Sequence, residues 1–187
     1  MKHGQYYDER IAGLVFPDPS RDHIKGRPDA ATTILEYGDF ECGYCGQFYP
    51  IAKTVEQIMG ENLCFAFRNF PLANVHPHAE RAAQGAEAAG AQGRFWEMHD
   101  LLFENQDALE CDDLCRYARA LGLDVGRFKA EVLGEVHAPK VREDFMRGIR
   151  AGVNGTPTIL INGMRYDGPR ELDYILAAVS EINGIRT

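Results

Sequence analysis

The sequence predicts an α/β fold: one mixed central sheet with helices on its faces, and a block of helices inserted between two of its strands. Three observations carry this. β-type runs concentrate toward the two ends, with Ala31-Thr-Thr-Ile-Leu-Glu-Tyr37 and Leu63-Cys-Phe-Ala-Phe-Arg68 early, and Thr156-Pro-Thr-Ile-Leu-Ile161 and Met164-Arg-Tyr166 late. From about His76 to Gly152 the pattern is helical throughout. A Cys-x-x-Cys pair, Cys42-Gly43-Tyr44-Cys45, sits where the first confident strand ends and a helix begins. The order is therefore β–α–β, a helical block, then β–β–α. Strand–helix–strand followed by a hairpin builds one sheet, so the block is an insertion.

Taken in order, residues 1–28 form an N-terminal extension. Within it Ile11-Ala-Gly-Leu-Val-Phe16 reads as a short strand, and Pro17-Asp-Pro-Ser20 and Lys25-Gly-Arg-Pro-Asp29 read as turns. Residues 29–75 hold the first part of the sheet. The strand over 31–37 leads to a helix from about Gln47 to Met59, with Phe48, Ile51, Val55, Ile58 and Met59 at helical spacing and Gly60 at its C′ position. The run from Leu63 alternates large apolar residues at Leu63, Phe65 and Phe67, and Asn69-Phe-Pro-Leu-Ala-Asn74 closes it. The insertion, 76–152, opens with an alanine-rich helix from His78 to Gly90. An aromatic one follows from Arg94 to Glu104, then a third from about Asp112 to Leu121 that ends at Gly122. Shorter helices cover Val125–Leu133 and Pro139–Ala151. Residues 153–187 return to the sheet. Asn162-Gly163 is a type I′ hairpin turn, and Asp167-Gly-Pro169 starts a last helix with the stripe Leu172, Ile175, Leu176 and Val179.

A chain of 187 residues, 45% hydrophobic, is long enough for one such domain with a real core. Its net charge of −8, with both signs mixed along the chain, argues against nucleic acid and against an anionic membrane surface as partner. No run approaches the ~18 apolar residues of a membrane span. The first residues, Met1 to Arg10, contain no apolar stretch of a signal peptide, so the chain as written is expected to be cytoplasmic. If the chain is a mature form or a piece of a longer one, a periplasmic, exported or membrane-fused origin is the alternative. Five cysteines is an odd number and fits a reducing compartment better than a disulfide-stapled secreted domain.

In a strand–loop–helix setting, Cys42 and Cys45 read as a redox dithiol. A helix N-terminus presents free N–H groups and about half a positive charge, which favours an anion. Cys42 is thus expected to ionise more readily than a free thiol, and Cys45, a turn later, to point inward and resolve mixed disulfides. Gly43 and Gly46 are expected to let a substrate backbone approach. Half of a zinc site is the alternative for this pair. Cys111 and Cys115, the only other candidate pair, have helical i, i+4 spacing rather than a knuckle turn, so no metal is expected. The same spacing resists a bridge between those two. Cys115 is expected in the core, Cys111 near a helix start, and Cys64 as a buried small hydrophobe on its strand. His76 and His78 flank Pro77 and read as a helix start, with a metal site as the alternative; His99, on the aromatic helix, reads as structural or half exposed.

The layout resembles the thioredoxin fold, and with its helical insertion it resembles the DsbA-type branch of thiol–disulfide oxidoreductases, over roughly residues 22–183. The resemblance rests on Leu35-Glu-Tyr-Gly-Asp-Phe-Glu-Cys-Gly-Tyr-Cys45, Arg94-Phe-Trp-Glu-Met-His-Asp-Leu-Leu-Phe103, Ala120-Leu-Gly-Leu-Asp124 and Gly152-Val-Asn-Gly-Thr-Pro-Thr158. It implies a protein-disulfide oxidoreductase with catalytic Cys42, Cys45 and Glu36. Gly43, Tyr44, Thr156 and Pro157 would form the substrate-binding surface, with Pro157 in cis against the active-site pair. Glu36 would be a buried carboxylate that relays a proton to or from Cys45, although strand alternation alone leaves its face open. No metal or organic cofactor is implied beyond the Cys42–Cys45 disulfide itself. The partners are protein thiols and disulfides plus a recycling partner of thioredoxin type, glutathione or a membrane oxidase. The Gly-Tyr dipeptide, and the threonine before the proline, look more like the periplasmic disulfide isomerase than the strongly oxidising periplasmic enzyme with its Pro-His. The missing histidine, together with Asp39 and Glu41, points to a weaker oxidant. Two alternatives stand beside this reading: a non-enzymatic redox-sensing or partner-binding module, and a glutathione-dependent transferase or isomerase on the same fold.

Overall fold

In the computed structural model, which describes residues 9–185, five strands form one sheet in the order β1-β3-β2-β4-β5. They are β1 His23–Gly26, β2 Thr32–Gly38, β3 Leu63–Asn69, β4 Thr158–Ile161 and β5 Met164–Tyr166. β2 and β3 run parallel, joined by the crossover helix α2, Gly43–Met59, while every other pairing is antiparallel. β2 and β3 are central and covered on both faces, so their alternating residues enter two different cores. Ile34, Phe65, Ile159 and Ile161 meet Phe48, Ala52 and Val55 of α2 and Ile175 and Val179 of the last helix, α8 (Leu172–Ile185). Leu35, Tyr37, Ala66 and Leu160 face the other way, against Val15, Phe70, Phe145 and Val153. Glu36 lies between Leu35 and Tyr37, so it falls on the Ile34 face, under α2.

Five helices form the insertion: α3 Ala79–Gly90, α4 Phe95–Glu104, α5 Cys111–Ala120, α6 Val125–Leu133 and α7 Ala138–Arg150. In α3 the side chains of Ala82, Ala83, Ala86, Ala88 and Ala89 are all buried, and their small size lets neighbouring helices close around them. The block is fixed to the sheet by aromatic rings. Phe40 and Phe67 meet Phe103 at centroid distances of 4.9 and 6.0 Å, and His99 stands edge-on to Phe67 and Phe103 at 4.9 Å each. Phe40 lies two residues before Cys42, so this cluster sets the position of the Cys42–Cys45 loop against the insertion.

Several sequence expectations are corrected at the boundaries. Ile11–Phe16 is not a strand: Glu9–Val15 is a helix, α1. A short apolar run cannot be assigned by periodicity, and the carbonyls it leaves free at its C-terminal end are taken up by a buried arginine. Arg68 on β3 donates through Nη1 to Leu14 O (2.8 Å) and Tyr37 Oη (2.9 Å), and through Nη2 to Phe16 O (2.9 Å) and Asp22 Oδ2 (2.6 Å). Its Nε donates to Asp22 Oδ1 at 2.9 Å. Of the turn expected over Lys25–Asp29, Lys25 and Gly26 belong to β1, which ends at Gly26 with a positive φ of 75°, and the turn itself lies at Pro28-Asp29, closed by Ala30 N donating to Arg27 O at 3.1 Å. α2 starts at Gly43 rather than near Gln47, β4 starts at Thr158 rather than Thr156, and α8 starts at Leu172, after the Asp167-Gly-Pro169 turn. The hairpin at Asn162-Gly163 has φ values of 49° and 79°, both positive as a type I′ turn requires. Residues 1–8 of the N-terminal extension, including most of the segment read for a signal peptide, lie outside the described residues.

Candidate active site

The loop after β2 delivers Cys42 to the N-cap of α2, where Gly46 N donates to Cys42 O at 3.0 Å and Cys42 N donates to Asp39 O at 3.1 Å. The two cysteines are unequal. Cys42 is 5% exposed and Cys45 0%, while Tyr44 between them is 65% exposed. Cys42 thus keeps a small exposed surface beside the projecting Tyr44, and Cys45 has none. The Cys42 thiol is lowered to about 5, chiefly by a hydrogen bond from Cys45; burial opposes this, and Thr156 and the backbone N–H groups of Tyr44 and Cys45 reinforce it. Cys45 is pushed well up by burial, by its bond to Cys42 and by the charge of Glu36.

Glu36 is 2% exposed, and its Oε1 has no hydrogen-bond partner. Burial first, then the charges of Cys42 and Glu56, push it up to about 8, with Arg170 opposing. Space for it depends on Gly38, where an added Cβ would lie 2.3 Å from the Phe67 ring and 3.1 Å from Glu36 Oε1. The loop before β4 completes the site. The Thr156–Pro157 peptide bond is cis, Pro157 is buried, and Cys42 Sγ donates to Thr156 O at 3.4 Å. The Thr156 hydroxyl is buried with no partner of its own and is placed to donate to Cys42 once the sulfur ionises. Cys42, Cys45, Glu36, Thr156 and Pro157 thus come together, with Tyr44 on the rim. A Cβ at Gly43 would meet nothing within 4 Å, so that side of the loop is open.

Gly46 has a different use from the one expected. A Cβ there would lie 2.1 Å from Gln106 Oε1. The Gln106 amide, from the α4–α5 loop, donates to Phe40 O at 2.8 Å and Cys42 O at 2.9 Å, clamping the redox loop to the insertion. Sequence reasoning missed this residue, because a polar side chain in a polar loop carries no pattern. Replacing Gln106 with Ala is expected to cost about 1–3 kcal/mol in urea unfolding, the worth of two hydrogen bonds. Gly46→Ala, which displaces the same amide, should cost a similar amount, and the double variant little more than either alone. Full additivity of the two costs would count against the clamp.

The acidic residues flanking the loop are paired. Asp39 is buried; its Oδ1 accepts from Glu41 N, and its Oδ2 accepts from Leu72 N and lies 2.8 Å from His76 Nδ1. Glu41 accepts from His78 N at 2.7 Å and lies 2.8 Å from His78 Nδ1. Asp39-x-Glu41 and His76-x-His78 have matched spacing, a signal the sequence offered. His78 is the N-cap of α3, so the motif is a helix start. Among the described residues no group of three or more His, Cys, Asp or Glu could hold a metal ion. Cys111 is the first residue of α5, Cys115 is buried beside Ala118 in the insertion core, and Cys64 is buried on β3. His99 is buried and lowered to about 4 by that burial, against its bond to Asp100.

The family model described as Thioredoxin matches residues 19–181. The chain is 43% identical over 172 residues to the Na(+)/H(+) antiporter NhaA 3 of Salinispora tropica, a match covering 91% of this chain and 26% of that protein. It therefore spans about a quarter of the length of that curated relative. Among solved structures it is similar to oxidised BdbD from Bacillus subtilis (TM-score 0.80, 23% identity, 90% of this chain and 96% of that one). It is also similar to alpha-DsbA1 from Wolbachia pipientis (TM-score 0.80, 21% identity, 92% and 96%). At that identity these two establish a shared fold, the thioredoxin sheet with a DsbA-like helical insertion. Among the described residues no helix is long and apolar enough to cross a membrane.

Proposed function

The chain belongs to the thioredoxin family, and on that footing we propose that it is a thiol–disulfide oxidoreductase acting on protein substrates through Cys42 and Cys45. The observation that carries the reading is the inequality of the two thiols: one reachable and lowered to about 5, the other buried and pushed up. At neutral pH Cys42 is the thiolate. It attacks a substrate disulfide, forming a mixed disulfide and releasing one substrate thiolate. Cys45 then gives up its proton and attacks Cys42 Sγ, forming the Cys42–Cys45 bond and releasing the second substrate sulfur. Two electrons pass to the substrate, and the same steps in reverse oxidise a substrate dithiol.

Glu36 suits the proton transfer because its state depends on Cys42. The Cys42 charge helps to hold it protonated. Once Cys42 enters a mixed disulfide that charge is gone, Glu36 ionises more readily, and its carboxylate is available at the moment Cys45 must give up a proton. The exposed Tyr44 and the Thr156–Pro157 backbone would receive the substrate chain. No further cofactor enters these steps; a thioredoxin-type protein, glutathione or a membrane oxidase would restore the site.

Direction follows from poise. A Cys42 near 5 lies between thioredoxin, at about 7, and DsbA, at about 3.5, so the reduced form has intermediate stability. In a cytoplasm such a site works as a reductase; in an exported setting it donates disulfides. The antiporter likeness favours a second reading, in which the fold serves as a redox-sensing module joined to a membrane protein. Insulin reduction in the presence of dithiothreitol separates the two, since an enzyme turns over and a sensor does not. Equilibration in glutathione buffers then fixes direction: a potential near about −270 mV means a reductase and one near about −120 mV a disulfide donor.

A further inference from the structure

We propose that His76 is a positioning residue of the redox centre: as an imidazolium it pairs with the buried Asp39 and spares the Cys42 thiolate an uncompensated carboxylate, the part a charged residue between the cysteines would otherwise play. This deepens the oxidoreductase reading and rests on it. Asp39 is joined to both cysteines through its backbone, with Asp39 O accepting from Cys42 N at 3.1 Å and Asp39 N 3.5 Å from Cys45 Sγ. Its carboxylate is buried, and only neutral amide donors from Glu41 and Leu72 accompany His76 on it. Hydrogen bonds from neutral amides do not cancel a charge in a low-dielectric site; a cation does.

His76 is the cation placed to do so. It is partly exposed, 24%, so it exchanges protons with solvent while gripping a carboxylate that is 0% exposed. Its backbone is fixed by His76 N donating to Leu72 O at 2.9 Å, which keeps both contacts to Asp39 on one short loop. The charged groups facing it are Asp39 and Glu41 from the loop after β2 and Cys42 at the N-cap of α2. Glu41 is already engaged with His78, which also reaches Glu110 at 3.1 Å, with Arg81 beside that carboxylate. Burial works against the His76 cation, but the bond to Asp39 and the charges of Asp39, Cys42 and Glu41 outweigh it, and its pKa is raised.

The sign follows. Below that raised pKa the imidazolium is present and the thiolate is favoured. As pH climbs through it the cation is lost, Asp39 stands uncompensated, and the reduced form is stabilised less. The coupling is reciprocal: whatever His76 does for the Cys42 anion, the anion does for the His76 cation.

The test is the Cys42 thiolate titration, read by absorbance near 240 nm, in His76→Asn, which keeps an N–H donor for Asp39 and removes the charge. The Cys42 pKa should rise by about one unit. That tenfold loss of thiolate stabilisation is about 30 mV toward a weaker oxidant for a two-electron couple. His76→Lys should restore much of it. An unchanged Cys42 pKa in folded His76→Asn overturns the proposal. A second measurement needs no variant: the His76 imidazole, followed by NMR, should titrate about one unit lower once Cys42 and Cys45 are joined in a disulfide, and equal values in the two redox forms overturn it. Neither readout requires turnover, so failure of this coupling and failure to reduce insulin are separate results: the first overturns the role of His76, the second the enzyme reading.

Discussion

Replacing Cys42 with Ser should abolish insulin reduction, while Cys45→Ser should stop halfway and accumulate mixed disulfides with substrate. The two outcomes differ because the two sulfurs differ. Cys45 is fully buried and its thiol is pushed up, so it can neither reach a partner nor ionise to attack one when Cys42 is gone. Cys42 needs no help from Cys45 for the first attack, but the bond it forms persists unless Cys45 displaces it. Nonreducing gels and intact mass should find adducts only in Cys45→Ser. In the wild type, the rate constant of the first attack should be flat above about pH 6. Below a pH of about 5, where Cys42 takes up its proton, it should fall tenfold per unit. Residual turnover in Cys42→Ser, or a Cys45→Ser chain that forms no adducts, would reverse or remove the assigned roles.

The fold and the placement of the Cys42–Cys45 pair at a helix start were legible because both rest on local patterns. Alternation at Leu63, Phe65 and Phe67, helical spacing through the insertion and the Asn162-Gly163 turn each report on neighbours in sequence. Pairings across the chain were not legible. Glu36 could have faced either way until α2 and α8 were seen to cover the Ile34 face of β2. The expectation that Asp39 and Glu41 weigh against the thiolate took their charges as free, whereas each meets a histidine 37 residues away. Gln106 lies still further outside any pattern, 64 residues from Cys42, and is betrayed only by the glycine that makes room for it. What local reading misses is the set of polar contacts around the Cys42–Cys45 loop, since nothing about a lone polar residue names its partner.

Arg68 is the clearest such case, and its removal should be the most destabilising single change away from the redox centre. It reads as the outward position of an alternating strand, yet both it and Asp22 are 0% exposed. All five guanidinium N–H groups have acceptors: Asp22 takes two, and Leu14 O, Phe16 O and Tyr37 Oη take one each. This side chain, with Tyr37 Oη on Leu14 O and Arg147 on Gly13 O, ties the segment from α1 to β1 to the rest of the fold. Arg68→Met fills much of the volume but leaves the Asp22 carboxylate buried without its paired cation and Leu14 O with the Tyr37 hydroxyl in place of two donors. The expected cost is about 3–5 kcal/mol in urea unfolding. Most of it should come from the stranded carboxylate, so adding Asp22→Asn to Arg68→Met should recover part of the loss, the signature of a pair rather than of two separate sites. A cost under about 1 kcal/mol, in the range of an exposed pair, would mean that the segment is held by its apolar contacts through Val15 and that the buried ion pair contributes little.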